Sequence, residues 1–537
     1  MTDNQPLSPE SITRRQFHQT SIVALAGIGT GVGLGAEATA DGAAAEAPAI
    51  VTASSLRPRI DNGVASGDVT ASTAVLWSRT NRAARMVVDL STTDSFRKAR
   101  TYPGGDALES RDFTSKLQLT GLTAGTEYFY RVRFQDLENL SLFSEGATGR
   151  FRTAPAEPTD IRFVWSADTA GQGYGIDRER GGMTTYRAMR EMKPDFLVHC
   201  GDLIYADNPI PESIKLDDGT LWKNLTTPET SKVAETLAEF RAKFRYNTLD
   251  EHFREFHAQV PIFAQWDDHE TVNNWYPGEQ LLSDDRYTVK SVDLLSARAR
   301  TALFEYVPIR ESLRTPGRIY RTLPYGPQLE LFFIDMRSHR GPNAANRAGG
   351  EGDPSLLGKS QLAWLKRSLK GSSATWKVIC SDMPIGLIVG DGPGAFEAVA
   401  NGDGPPAGRE KEVAELLRFL RDEKVRNVVW ICGDVHHAAS IHYSPDRAQF
   451  QEFEPFWEFV SGPIHAGTFG PNVLDNTFGP KLEFLGIPKD LRPNRPPSEG
   501  MQFFGVVEIE GKTGNLTVSH YNVAKEKLWS RTLEPVA

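Results

Sequence analysis

The sequence predicts two folds in series: an all-β sandwich over residues 55–154, then an α/β domain of layered sheets over 160–537. Length argues for more than one domain, since 537 residues exceed what a single core usually holds, and 39% hydrophobic content can fill more than one. Texture argues for the order. Residues 60–153 read as short β-rich runs separated by polar turns, whereas beyond 161 buried apolar runs alternate with amphipathic helical patterns.

In the first segment, Ala74-Val75-Leu76-Trp77 and Met86-Val87-Val88-Asp89-Leu90 are strand-like runs. Tyr128, Tyr130, Val132 and Phe134 alternate with Phe129, Arg131 and Arg133, which gives one strand a buried and a wetter face. The lead-in Leu122-Thr123-Ala124-Gly125-Thr126 resembles the tyrosine corner of fibronectin/Ig-like sandwiches. Arg152-Thr153-Ala154-Pro155-Ala156-Glu157-Pro158 reads as the linker that closes the segment.

In the second segment the apolar runs Ile161–Trp165, Phe196–Val198, Leu331–Ile334, Val378–Cys380 and Val428–Ile431 predict buried strands. Val413, Leu416, Leu417 and Leu420, and likewise Leu362, Leu365 and Leu369, follow helical spacing. Gly/Pro-rich stretches at 339–358, 389–408 and 462–500 are too long for plain connections and are expected to be walls, lids or mobile segments. Cys200 and Cys432 end apolar runs and are expected to be core thiols; three cysteines cannot make a disulfide framework.

Chemistry in layered α/β folds gathers beyond the C-terminal strand ends. Those ends read Ser166-Ala167-Asp168, Gly201-Asp202-Leu203-Ile204-Tyr205, Trp266-Asp267-Asp268-His269-Glu270, Asp382-Met383-Pro384 and Gly433-Asp434-Val435-His436. One such Asp is ordinarily a helix cap, but five would repel one another unless cations neutralised them. A site of hard ligands for two metals is the economical explanation. No G-x-S-x-G elbow is present to supply a serine nucleophile.

This series of motifs resembles the calcineurin-like metallophosphoesterases, and within them the PhoD-like branch. The resemblance implies a four-layer domain, two packed sheets flanked by helices, and an alkaline phosphatase or phosphodiesterase that attacks phosphate esters with a metal-activated hydroxide. By position it implies that Asp202 bridges two metals, with Asp168, Tyr205 and His436 on the first and Asp268, Asp382 and Asp434 on the second. His269 takes the place of the proton donor to the leaving group. Fe3+ is expected first, because a phenolate such as that of Tyr205 suits it, and Ca2+ second, because carboxylates replace imidazoles there. Asp168 stands where the family commonly has Cys, which leaves Mn2+ or Zn2+ as alternatives. Arg337 and His437 are expected to bind substrate, Arg337 as a phosphate clamp; His465 is a weaker site-wall candidate, and His199 is expected in the core.

Residues 1–40 are expected to be a twin-arginine signal: Arg14-Arg15 precede an apolar, Gly/Ala-rich run from Ile22 to Leu34, and Ala38-Thr39-Ala40 offers a cleavage site near Ala40. The run is too short to be a good membrane span, so a periplasmic or secreted protein without a stable membrane anchor, handed to the twin-arginine machinery, is expected. A net charge of −9 without a basic run gives no reason to expect a nucleic-acid partner. The rival functions are a dedicated cell-wall or lipid phosphodiesterase, a purple-acid-phosphatase-like enzyme, and a non-catalytic surface binding protein.

Overall fold

A computed structural model of the chain describes residues 54–347 and 354–536; the expected signal at 1–40 lies outside them. Two large sheets form its centre. The first has nine strands, in the order Lys527–Leu533, Leu516–Asn522, Phe503–Ile509, Ile161–Ser166, Phe196–His199, Ile262–Ala264, Val64–Gly67, Thr73–Arg79, Thr114–Thr120. The second has seven: Arg321–Pro324, Leu329–Phe333, Trp376–Cys380, Val428–Cys432, Phe456–Val460, Ala439–Tyr443, Pro480–Leu485. Both are parallel at the centre, so their site-bearing strands end on the same side of each sheet.

Side-chain alternation builds the layers. Trp165, Phe196, Val198 and Phe263 of the first sheet share one buried cluster with Leu331, Phe333, Val378, Val429 and Ile431 of the second. The intervening residues face outward: Leu197 and Ile262 cluster with Met189, Phe240, Phe256 and Leu303 of the helices Thr184–Glu191, Leu237–Asn247, Glu251–Gln259 and Val292–Tyr306. Phe332, Ile379 and Trp430 cluster with Leu365 and Leu417 of the helices Gly358–Gly371 and Glu410–Asp422. The result is the expected helix, sheet, sheet, helix layering. Runs buried on both faces explain why these strands read as unbroken apolar stretches.

The N-terminal sandwich is present with one difference. Its four-stranded sheet runs Arg100–Ala107, Ala84–Ser91, Glu127–Asp136, Ala147–Arg152, with Tyr128, Tyr130, Val132 and Phe134 buried as the alternation predicts. The Tyr128 hydroxyl accepts the Thr123 N–H at 2.9 Å, forming the tyrosine corner. The facing strands, however, are not a separate sheet. Val64–Gly67 pairs in parallel with Ile262–Ala264, so the sandwich and the α/β body share one sheet, and Thr52–Ala537 makes a single unit. The 462–500 stretch also differs from a plain loop, because Pro480–Leu485 is a strand paired with Ala439–Tyr443. Its flanking Gly and Pro residues masked six residues of pairing.

The shared seam depends on a residue without a side chain. A Cβ on Gly67 would lie 2.5 Å from the Ile262 carbonyl oxygen and 2.7 Å from that of Pro308. Asp68, fully buried beside it, accepts Arg321 at 2.8 and 3.0 Å and the Arg310 N–H at 2.8 Å. Gly67→Ala is therefore expected to destabilise the whole unit by about 1–3 kcal/mol, as overpacking does, with a single unfolding transition in calorimetry. An unchanged midpoint, or a separate melt of the N-terminal strands, would contradict the shared seam.

Candidate metal centre

Three of the five strand-end loops turn sharply at the residues that carry the chemistry. Asp168, Asp202, Asp434 and His436 all hold φ between 56° and 68°, a region that side chains other than Gly, Asn and Asp enter reluctantly. Such strain persists only where surrounding structure enforces it, and it clusters at functional sites. Gly201 enables the Asp202 turn: its φ is 121°, and a Cβ there would lie 2.9 Å from the Asp267 nitrogen.

These turns bring six of the predicted residues together with Asp267 in three groups that could hold a metal ion: Asp168, Asp202 and His436; Asp202, Asp268 and His269; and Asp267, Asp268 and Asp434. Within each, the ligating atoms lie within 4.8 Å of one another. Tyr205 joins the first group through a 2.9 Å hydrogen bond between its hydroxyl and His436 Nε2. His436 Nδ1–H donates to the Gly467 carbonyl, which leaves Nε2 with its lone pair toward Tyr205 and Asp168. Burial holds the His436 imidazole neutral, pulling its pKa down to about 4, the state a metal ligand needs. Asp382 stands beside the third group, its Oδ2 3.5 Å from Arg337 Nε.

The electrostatics are those of an anionic pocket short of positive charge. Burial first, then neighbouring carboxylates, push Asp202 far above the usual carboxylate range; burial does the same to Asp168, with His269 opposing it. Asp382 rises to about 7, mainly through burial. Asp268 goes the other way: burial opposes it, but His269, Arg337 and two backbone N–H donors hold it ionised. Despite burial, Asp207 and Asp268 raise His269 to about 9. Both oxygens of Asp168 and Oδ2 of Asp382 are buried without a hydrogen-bond partner. The donor set, hard oxygens plus one neutral imidazole, fits cations.

The profile of the PhoD-like phosphatase family matches residues 163–520, and that of the family's N-terminal domain matches 43–155. The chain belongs to the PhoD-like phosphatases. It is 27% identical over 441 residues to alkaline phosphatase D of Bacillus subtilis, covering 77% of this chain and 71% of that protein. Among solved structures, one of PhoD superposes with a TM-score of 0.65 at 21% identity, over 89% of this chain and 92% of that one. A purple acid phosphatase, PPD1 from yellow lupin, gives 0.53 at 13% identity, over 89% and 74%. The two superpositions establish the fold. Membership of the family makes the chain a phosphoester hydrolase.

Two site expectations for this PhoD-like chain do not survive the geometry. Arg337 does not reach out to clamp phosphate. It is fully buried, with Nε and Nη2 at 2.7 and 2.5 Å from Asp267 Oδ1 and Nη1 on Glu397. His437 does not line the pocket either. Its Nδ1–H donates to the Val435 carbonyl at 2.8 Å, and the ring is buried and neutral. His465 is also buried, with Nε2–H on the Gly175 carbonyl, and His199 lies in the core against Thr169. Cys200, Cys380 and Cys432 are buried free thiols.

Three residues without a predicted role prove structural to the site. Glu270 accepts the N–H groups of Asp202, Leu203 and Asp267, tying two strand-end loops together. Asp267 holds Arg337. Asp207 accepts His269 Nδ1–H at 2.7 Å, which orients the ring and leaves Nε2 as the nitrogen not bound to Asp207. Its only sequence signal was its place two residues after Tyr205. Asp207→Asn is expected to lower kcat for an aryl phosphate by about 10–100-fold with little change in KM, the usual cost of losing an orienting partner. Unchanged kcat would show that His269 does not depend on Asp207.

Proposed function

We propose that this PhoD-like phosphatase is an exported enzyme that hydrolyses phosphomonoesters and phosphodiesters at two cations, Fe3+ at the first position and Ca2+ at the second. The observation that carries this reading is the set of buried carboxylate oxygens on Asp168 and Asp382 that lack any hydrogen-bond partner. A buried anion so placed is costly, and a cation is the partner that relieves it. Asp168, Asp202, His436 and Tyr205 would hold the first cation, and Asp268, Asp382 and Asp434 the second. Asp202 groups with Asp168 and His436 of the first position and also with Asp268 of the second, which supports its reading as the bridge.

The donor chemistry supports the choice of metals. Tyr205 is a phenol as it stands, since burial and the Asp202 and Asp168 carboxylates oppose its ionisation, and a ferric ion is strong enough to displace its proton. The second position offers carboxylates and no imidazole, a set that suits calcium, magnesium or manganese. Bound there, the two cations would polarise the phosphoryl oxygens and lower the pKa of an attacking water. The protein's own groups do the rest. His269, stacked on Tyr205 with ring centroids 4.3 Å apart and oriented by Asp207, delivers its Nε2 proton to the leaving alkoxide. Asp207 and Asp268 stabilise the charged ring until that step.

Export by the twin-arginine route is supported by Arg14-Arg15 ahead of the apolar run Ile22–Leu34. Among the described residues no helix is long and apolar enough to cross a membrane. An alkaline optimum is supported by the name of the Bacillus subtilis relative, alkaline phosphatase D.

Two measurements test the centre. Protein folded in its native host is expected to contain about two metal ions per chain, iron among them, with a visible tyrosinate–iron absorption; well-folded, active protein without metal would overturn the assignment. Asp202→Asn is expected to lower aryl phosphate hydrolysis by more than about 100-fold, beyond what an outer-shell residue costs, with the unfolding midpoint little changed. Near-normal activity would remove Asp202 as the bridge.

A further inference from the structure

The Gly/Pro-rich 389–408 segment carries a carboxylate that the hydrolytic reading does not use. Glu397 is fully buried and ion-paired with Arg337 Nη1, and its Oε1 lies 3.3 Å from Arg340 Nη1. Its carbonyl accepts Arg409 Nη1–H at 2.6 Å. On the far side of Arg337, Asp267 takes Nε and Nη2, while Asp382 Oδ2 and Asp434 Oδ1 each stay 3.5 Å away, beyond good hydrogen-bonding distance. A second tie runs in parallel. Asn274 donates its backbone N–H to Asp268 at 2.6 Å and its side-chain amide to Asp391 of the same segment at 2.9 Å.

We propose that Glu397 is a positioning residue that holds Arg337 away from Asp382 and Asp434, so that the seating of the 389–408 segment sets how tightly the second cation is held. The inference rests on the reading of Asp268, Asp382 and Asp434 as ligands of that cation. Arg337 is a permanent charge with a planar fork of donors that suits carboxylates. Clamped between Asp267 and Glu397, its charge is answered at both ends and the pocket stays anionic. With Glu397 withdrawn, Arg337 is held on the Asp267 side alone, with Asp382 Oδ2, a buried acceptor without a partner, 3.5 Å from its Nε and Asp434 Oδ1 3.5 Å from its Nη2. A cation would then have to displace a guanidinium that solvent does not screen. Losing the Glu397 charge also makes the pocket one unit more positive. Both effects weaken cation binding.

The test titrates calcium chloride, then manganese chloride, into the chelator-treated full chain, following heat and unfolding midpoint, for the unsubstituted protein, Glu397→Gln and Glu397→Asp. Glu397→Gln is expected to bind the second cation about ten-fold more weakly, and values within about two-fold of the unsubstituted chain overturn the proposal. The Glu397→Gln loss of kcat is expected to be restored by saturating the same cation. A loss that excess cation does not restore means a structural role only and also overturns the proposal. Where Glu397→Gln does not fold, Glu397→Asp decides: its charge is kept but its reach shortened, so weaker binding supports the role and unchanged binding removes it. An unsubstituted chain that binds neither cation refutes the ligand reading itself, and the proposal with it.

Discussion

Carboxylates converge on one crevice between the two sheets, and their mutual repulsion is the constraint the rest of the structure answers. Asp168, Asp202, Asp267, Asp268 and Asp382 are each almost wholly out of solvent, and Asp434 is nearly so. Removing one ion from water costs several kcal/mol even after relaxation. The protein meets part of this itself, with Arg337 against Asp267 and with backbone N–H donors on Asp268 and Asp202. It leaves the remainder unmet at Asp168 and Asp382. A pocket that is left anionic after its own cations are counted is a pocket shaped for cations from outside.

Such a pocket needs a stiff frame, because its carboxylates repel one another and three of them, Asp168, Asp202 and Asp434, sit on left-handed backbone. Parallel strands buried on both faces supply that frame, since neither sheet can slip without exposing an entire row of side chains. The N-terminal sandwich contributes to it directly. By donating Val64–Gly67 to the edge of Ile262–Ala264, it covers the strand that leads to Asp268 and His269. Glu270 then fastens that loop to the Asp202 loop through three N–H groups. Stability and the placement of the site carboxylates therefore draw on the same contacts.

Much of this was legible in the sequence, and the reasons differ by residue. Four of the five strand-end Asp positions could be read because unbroken apolar runs mark doubly buried strands, and an Asp follows each of those four runs within four residues. The tyrosine corner could be read because Tyr128 heads a strict alternation. What could not be read was direction and partnership. Arg337 looked like a phosphate clamp because it follows a strand end, yet the nearest unmet charge for its fork was Asp267, seventy residues earlier in the chain. Asp207 has only its place two residues after Tyr205, and Glu397 has no local pattern; their roles exist only through contacts with His269 and Arg337. The shared sheet was hidden for a similar reason, since a parallel pairing between Gly67 and Ile262 leaves no short-range mark.

The stretch Gly433-Asp434-Val435-His436-His437 shows how fine that limit is. Its side chains separate because two of its residues are left-handed, Asp434 at φ 68° and His436 at φ 56°. Asp434 falls with Asp267 and Asp268, and His436 falls with Asp168 and Asp202, so a span of three residues serves both ends of the crevice. His437, next in line, is turned back onto the Val435 carbonyl and shut into the core. Two imidazoles of equal intrinsic chemistry thus have different fates, decided by one backbone turn. A single left-handed residue costs of order 1 kcal/mol or more, and here the expense is borne twice within three residues. Packing alone gives no reason to sustain it, whereas placing Asp434 and His436 in two separate groups that could each hold a cation does.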